Sequence, residues 1–357
     1  MTTLLVKNIR TLVTMNAERL EIHDAALLVK DGIIEQVGKD IDLPITADDI
    51  LDLHGRYVVL PGLINTHHHF FQSLTRCIPA AQNYDLFNWL KSLYPIWNNL
   101  TPEAIHVSSK IAAAELILSG CTTSSDHLYI YINGITLDDE IQAIQEIGLR
   151  FHASRGSMSV GESQGGLPPD FIVEKEPDIL KDSQRLIERY HDNSRHSMLK
   201  MSLAPCSPFS VSQDLMRESA ALARSSPGVR LHTHLAENRA DVDYCMAAFG
   251  MSPGDYVDAV GWVGEDVWHA HCVQLDDRTI RNFGGTGTGV AHCPGSNMRL
   301  ASGMAPIRHM LNHRVPVGLG VDGSASNDAS NVMSEARLAF LVARARELDA
   351  RAMTPRE

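Results

Sequence analysis

Three histidines in a row, His67, His68 and His69 in "LPGLINTHHHFF" (60–71), follow an apolar run and a Pro-Gly. In an extended strand successive side chains alternate faces, so His67 and His69 point one way and His68 the other. The spacing recurs twice, as His232 and His234 in "VRLHTHLAE" and as His269 and His271 in "DVWHAHCV", each pair read as sharing a face; "VPVGLGVDG" ends in Asp322. Any one histidine among 17 is usually a surface residue or a satisfied core donor, so it is the placement at segment ends that carries information. Three imidazoles and one carboxylate are the donor set that zinc, or Fe(II), takes while keeping a position for water. Such a metal lowers the pKa of its water to about 7, which makes hydroxide available near neutral pH. Glu237, three residues after His234, stands where an acid is needed to move protons between water and substrate. Its plain alternative is a carboxylate favoured by a helix N-terminus.

Donors so far apart in sequence meet only if the fold brings segment ends together. Short apolar segments, "YVVLPGLINTHHH", "TTSSDHLYI", "LRFHASRG", "LKMSLAPCS", "VRLHTHLAE", "DVWHAHCV", "TGVAHCPGS" and "VPVGLGVDG", alternate with helical candidates such as 101–119, 176–191, 211–224 and 238–249. Most of these segments stop on His, Asp, Cys, Arg or Glu. In a (β/α)8 barrel the active site sits at the C-terminal ends of the strands, so a polar residue there reads as chemistry. A doubly wound sheet accommodates as many βα units, but it does not gather polar strand ends from both halves of the chain. The expected fold is therefore α/β, a TIM-like (β/α)8 barrel over 59–357 preceded by part of a small β-sandwich domain over 1–58. In that first part "TLLVKNIRTLVTM" and "AALLVKDGIIEQVG" read as strands, with Asp31-Gly32 as a hairpin turn. The glycine-rich "GGTGTG" (284–289) lacks the lysine of a phosphate loop and reads as a loop into the seventh strand.

Composition narrows the partners. With 357 residues, 44% hydrophobic and 21% charged, the chain has the balance of a soluble globular protein. A formal net charge of −12 argues against nucleic acid, whose binders replace counterions with basic patches. No run of apolar residues is long enough for a membrane helix. Six scattered cysteines without C-x-x-C, and a start "MTTLLVKNIR" without a signal-peptide core, fit a reducing cytoplasm. Most of the cysteines read as small packing residues.

At this point the chain resembles the amidohydrolase superfamily, in its cyclic-amidine deaminase branch, over about Met1 to Met353. The resemblance rests on His67-x-His69 after an apolar strand, His234-x-x-Glu237, His271 and Asp322. Longer stretches, "HHHFFQSLTR", "SGCTTSSDHLYIY", "RFHASRGSMSVG", "APCSPFSVS", "HTHLAEN", "VWHAHCV" and "GLGVDGSASND", are similar to 8-oxoguanine deaminases, with triazine ethylaminohydrolases carrying related sequences. The resemblance implies one zinc ion held by His67, His69, His234 and Asp322, with Glu237, His271 and Asp322 as the catalytic groups. Asp322 and His271 would handle the proton of the attacking water, and Glu237 would protonate the ring nitrogen next to the amidine carbon. Ammonia would leave; from 8-oxoguanine the product would be urate. Binuclear relatives use a carboxylated lysine at the end of the fourth strand, whereas here that end is Pro205-Cys206 and Lys200 lies at the opposite end, so a mononuclear site is expected. Alternatives are a hydroxydechloroatrazine-type triazine aminohydrolase, a guanine or S-adenosylhomocysteine deaminase, and a metal-free scaffold, the last disfavoured by the intact donor set. The cytidine-deaminase pattern, H-x-E with P-C-x-x-C, is absent.

Substrate contacts are expected from Gln72, Cys206, Arg155 and Trp97. Gln72 would read a carbonyl and a ring N–H as the glutamine of related guanine deaminases does; a surface amide is the alternative. Cys206, where nucleoside-acting relatives carry a histidine, argues for a free base. Arg155 has a structural ion pair as its alternative, and Trp97 a place in the core. His127 ranks below Gln72 and Cys206. His68, His152 and His309 have packing or surface readings; His292, at the end of the seventh segment, shares them but is worth testing. Gly295 in "HCPGSN" departs from relatives that carry a side chain there. The small β domain of this family is completed by strands after the barrel, so a truncated chain with an unpaired sheet edge is expected. A homodimer is the expected assembly.

Overall fold

Alternating apolar and polar residues make strands of the N-terminal stretch in the computed structural model, which describes residues 2–44 and 46–357. Contacts divide the chain after Gly62. In the first unit, β1 (Thr3–Val13) pairs antiparallel with β2 (Glu21–Lys30), and β2 with β3 (Ile33–Lys39). β4 (Asp49–Asp52) and β5 (Val58–Val59) lie parallel to β1, so the expected small β domain is a five-stranded mixed sheet. Asp31 and Gly32 join β2 to β3 with φ of 50° and 79°, the left-handed pair that a two-residue hairpin requires.

The second unit is the barrel. Its strands are β6 (Leu63–Asn65), β7 (Cys121–Leu128), β8 (Arg150–Ser157), β9 (Leu199–Pro205), β10 (Arg230–Leu235), β11 (Val267–His271), β12 (Gly289–His292) and β13 (Val317–Leu319). They pair in parallel in chain order, and Thr66 N–H donating to Leu319 O at 2.8 Å bridges the last strand to the first. The helices are α1 (Leu86–Trp97), α2 (Pro102–Leu118), α3 (Leu137–Ile147), α4 (Glu176–Tyr190), α5 (Gln213–Arg224) and α6 (Arg239–Phe249), followed by α7 (Pro253–Ala259), α8 (Asp277–Thr286), α9 (Pro294–Arg299), α10 (Ile307–Asn312), α11 (Ser324–Asn327) and α12 (Val332–Glu347). The four helices read from the sequence are α2, α4, α5 and α6. Local chemistry starts three of them: Thr101, Ser212 and Asn238 each accept a backbone N–H of the first turn, each cap contributing about 1 kcal/mol. "GGTGTG" supplies the last turn of α8, its left-handed cap Gly287, and the first residue of β12. Among the described residues no helix is long and apolar enough to cross a membrane.

At the C-terminal rim, strand geometry breaks down in a way that matters for the site. Ala236, His271, Cys272 and Asp322 all have positive φ, between 49° and 70°, where non-glycine residues are uncommon and functional strain collects. For His271 the turn overrides alternation and corrects the reading of a shared face with His269. His269 faces outward, stacked on Phe283 of α8 at 5.2 Å with its Nε2 against Trp262 O at 3.0 Å, while His271 swings into the barrel mouth.

Two carboxyl groups, Asp126 of β7 and Glu140 of α3, are sealed together with no exposure to solvent. Asp126 Oδ1 accepts Phe70 N–H at 2.6 Å, just past His69, while Asp126 Oδ2 and both Glu140 oxygens are buried without a hydrogen-bond partner. Neither has a cationic partner among the described residues; burial, then repulsion from Asp126, holds the Glu140 pKa well above its ordinary value. A raised folded pKa means stability is full below the ordinary carboxylate range, about pH 4, and falls as pH rises. Glu140→Gln keeps the shape of the side chain without its charge. Its thermal midpoint should therefore fall less than that of the wild type between about pH 6 and about pH 9; an equal fall in both would contradict the raised Glu140 pKa.

Candidate functional site

Three histidines present the same nitrogen to one point, and their hydrogen bonds dictate it. His69 Nδ1 lies 2.7 Å from His127 O, and His234 Nδ1 lies 2.6 Å from Cys206 O. A carbonyl only accepts, so both hydrogens sit on Nδ1 and both Nε2 atoms are bare lone pairs. His67 reaches the same state through a relay. His232 Nδ1 donates to Trp268 O at 2.9 Å, which leaves His232 Nε2 to accept from His67 Nδ1 at 2.8 Å. Burial first of all holds His67, His69 and His234 below the ordinary histidine pKa, so they are neutral.

The bare nitrogens then face each other. His69 Nε2 and His234 Nε2 are 3.0 Å apart, and Asp322 Oδ1 is 3.5 Å from both His67 Nε2 and His69 Nε2. His67 Nε2 is buried with no hydrogen-bond partner. Four lone pairs converging without a proton between them repel, and a cation at their centre turns that repulsion into ligation. The residues present therefore fit a divalent metal. Lys200, near the start of β9, is absent from the cavity, and Cys206 just past the end of that strand lines it.

Beside the donors stands an acid pair. Glu237 Oε2 is 3.3 Å from His271 Nε2, and Asp322 Oδ2 is 3.9 Å from the same nitrogen. Asn297 Oδ1 accepts from His271 Nδ1 at 2.9 Å and fixes the ring. Burial lowers the His271 pKa, but the flanking Glu237 and Asp322 outweigh it and hold the ring above its ordinary value. Burial pushes Glu237 up to about 7, and its Oε1 is buried with no partner. Burial would also raise Asp322, yet the facing His67 ring and the nearby His271 hold its carboxyl well below the usual range.

These groups form one side of a cavity of about 30 Å³, enough to hold water, and face an opposite wall. That wall is Leu86, Trp89, Leu90 and Tyr94 of α1, with Phe209 and Leu300; Gln72, Tyr129, Cys206 and Ser326 complete the lining. A cavity of about 660 Å³ opens between the N-terminal ends of the barrel strands, but it gathers no such convergent donors, and chemistry rather than size locates the site.

Of the residues read from the sequence, His67, His69, His234, Glu237, His271, Asp322, Gln72 and Cys206 are brought together. Arg155 and Trp97 are not. The Arg155 guanidinium is buried in ion pairs with Glu174 at 2.7 Å and Asp182 at 3.1 Å and stacks on Tyr131, while Trp97 donates its indole N–H to Thr75 Oγ1 inside an aromatic cluster. Trp97 packs edge-on against the lining residues Trp89, Tyr94 and Tyr129. His68 turns away to Ser330 Oγ at 2.8 Å, as alternation requires. His127 stacks on His234 at 4.9 Å with its Nε2 on Ala204 O, outside the cavity lining. His152 bonds Met201 O, His309 pairs with Asp277, and His292 is buried outside the site. Gly295 does not line the cavity; its missing side chain makes room for Glu335, whose carboxylate accepts Gly295 N–H at 2.8 Å. His232, Asn297, Tyr94 and Tyr129 were not read from the sequence as site residues. His232 alone had a signal, the spacing it shares with His234.

Known proteins resemble this chain over most of its length. The profile of the Amidohydrolase family matches residues 58–357. The chain is 49% identical over 328 residues to an 8-oxoguanine deaminase of Pseudomonas aeruginosa, covering 90% of this chain and 73% of that one. It is 37% identical over 354 residues to a hydroxydechloroatrazine ethylaminohydrolase of Pseudomonas sp. strain ADP, covering 96% and 73%. The crystal structure of atrazine chlorohydrolase from Arthrobacter aurescens TC1 complexed with zinc superposes with a TM-score of 0.91 at 31% identity, over 97% of this chain and 77% of that one. The chain belongs to the amidohydrolase family, as a hydrolytic enzyme acting on carbon–nitrogen bonds.

Proposed function

We propose that this enzyme deaminates a neutral, free purine-like base with a single zinc ion, converting 8-oxoguanine and water to urate and ammonia. The observation that carries the metal is the 3.0 Å approach of two unprotonated nitrogens, His69 Nε2 and His234 Nε2, beside Asp322. The 49% identity to an 8-oxoguanine deaminase supports the ring. The cavity adds a constraint of its own: among the described residues neither lysine nor arginine lines it, and Glu237 and Asp322 are acidic. A phosphate or a zwitterionic tail finds no counter-charge there, which favours a free base over a nucleotide or S-adenosylhomocysteine.

When bound by His67, His69, His234 and Asp322, zinc supplies a water of lowered pKa and a Lewis acid beside the reacting carbon. Asp322 takes one proton of the water through Oδ2, where His271 Nε2 lies 3.9 Å away and steadies the charge. Glu237, with a pKa near 7 and an unpaired Oε1, gives its proton to the ring nitrogen next to the amidine carbon. Collapse of the tetrahedral carbon returns the oxygen's proton to Glu237, and the proton held by Asp322 leaves on the amine as ammonia. Water's oxygen remains as the new carbonyl, so the atoms balance.

Ammonia release and ultraviolet change, measured with metal-loaded protein on 8-oxoguanine, isocytosine, guanine, S-adenosylhomocysteine and a hydroxytriazine, test this reading. The largest kcat/KM should belong to 8-oxoguanine. A preference for the hydroxytriazine or S-adenosylhomocysteine would overturn the substrate, and no turnover of any would overturn the deaminase.

A further inference from the structure

Tyr129, the residue after β7, lies in the cavity wall with its ring edge-on to His69 at 5.1 Å. It is buried, and burial first, with Cys206 and Tyr94 adding to it, keeps the phenol neutral by raising its pKa well above the ordinary value. Gln72 Nε2 donates to the Tyr129 hydroxyl oxygen at 3.4 Å. That oxygen is an acceptor in this contact, so its own hydrogen is free to donate, and none of the hydrogen bonds among the described residues uses it. Gln72 Oε1, the other end of the amide, is buried without a partner. It rests against Gly323, where even a methyl group would come within 1.9 Å of it. The lining thus offers one donor and one acceptor side by side, in the cavity that Glu237 also lines.

We propose that Tyr129, seated by Gln72, is a specificity-determining residue that donates its hydroxyl hydrogen to a ring carbonyl of the substrate while Gln72 Oε1 accepts the adjoining ring N–H. The site would then select the lactam edge, –NH–C(=O)–, next to the amidine carbon. This rests on the deaminase reading for the orientation of the ring: Glu237 serves the nitrogen on one side of the reacting carbon, and the lactam edge lies on the other. It also revises the expectation for Gln72: one of its two amide N–H groups is committed to Tyr129, and the ring carbonyl is read by the Tyr129 hydroxyl.

Equilibrium binding separates this proposal from turnover. The fluorescence of 2-aminopurine, which lacks the carbonyl, reports its own Kd, and its displacement by guanine reports the Kd of the lactam. Tyr129→Phe should weaken guanine by roughly 10-fold, the effect of one hydrogen bond to a buried carbonyl, and leave 2-aminopurine within about 2-fold. With 8-oxoguanine as substrate the same change should appear in KM more than in kcat. Equal weakening of both ligands means that Tyr129 only packs, and unchanged guanine binding means that its hydrogen points elsewhere; either result overturns the proposal. Wild-type metal content and thermal midpoint in Tyr129→Phe establish that the variant is folded. If guanine and 2-aminopurine bind and are distinguished but no base is deaminated, the function fails and the specificity stands.

Discussion

Glu237→Gln should lower kcat by roughly 10²–10⁴-fold and leave the metal content of the purified protein at the wild-type level. Glutamine matches the shape but neither releases nor regains a proton at neutral pH, so the transfer to the ring nitrogen stops. The carboxylate is not among the converging donors; its neighbour is His271 at 3.3 Å. The helix-end alternative does not account for this side chain either, because the cap of α6 is Asn238, accepting Asp241 N–H, and Glu237 contributes only its backbone N–H to Asp241. A second effect follows from the raised pKa. A buried carboxyl at about 7 costs stability as pH climbs from its ordinary value through 7, since ionisation is easier in the unfolded chain. In metal-stripped protein at about pH 8, Glu237→Gln should therefore unfold at a higher temperature than the wild type, by at most about 3 kcal/mol in stability. Lower activity with higher stability is what a strained catalytic group produces. Metal loss equal to that of a ligand variant would contradict the role.

What the sequence made legible follows the reach of its physics. Period-two alternation placed His67 and His69 together and turned His68 away, and the rule that barrel strands end at the site placed Asp322 and Cys206. Both are local arguments. His271 escaped them in part, since its positive φ breaks the alternation that was to pair it with His269. Arg155 sat on a plausible strand end, but its partners Glu174 and Asp182 lie 19 and 27 residues away, and no spacing announces them. Helix α1, which forms the wall facing the acids, carries Pro95 within it and was not read as a helix. The relay through His232 and the pairing of Gln72 with Tyr129 depend on which atom of each side chain meets which, 165 and 57 residues apart. Residue types at a spacing announce a metal site; the tautomers that make it a site appear only in three dimensions.

That dependence on tautomers is what makes His234→Ala the most damaging single change. The substitution removes the Nε2 that meets His69 Nε2 at 3.0 Å, together with the ring Nδ1 that donates to the Cys206 carbonyl. Metal affinity should fall by more than the roughly 10–100-fold that loss of an outer hydrogen-bond partner costs, and deamination should fall to background. His232→Ala is the informative comparison, because His232 touches no metal position and acts only by holding the hydrogen on His67 Nδ1. It should fall within that 10–100-fold range, and excess zinc should restore its turnover. Excess zinc should not restore His234→Ala, whose missing nitrogen no concentration of metal replaces. Metal content after dialysis against a graded chelator, with the thermal midpoint of each stripped protein as a check on folding, reads both. His234→Ala holding metal as tightly as the wild type would remove it from the ligand set and leave the 3.0 Å approach to His69 without a cause.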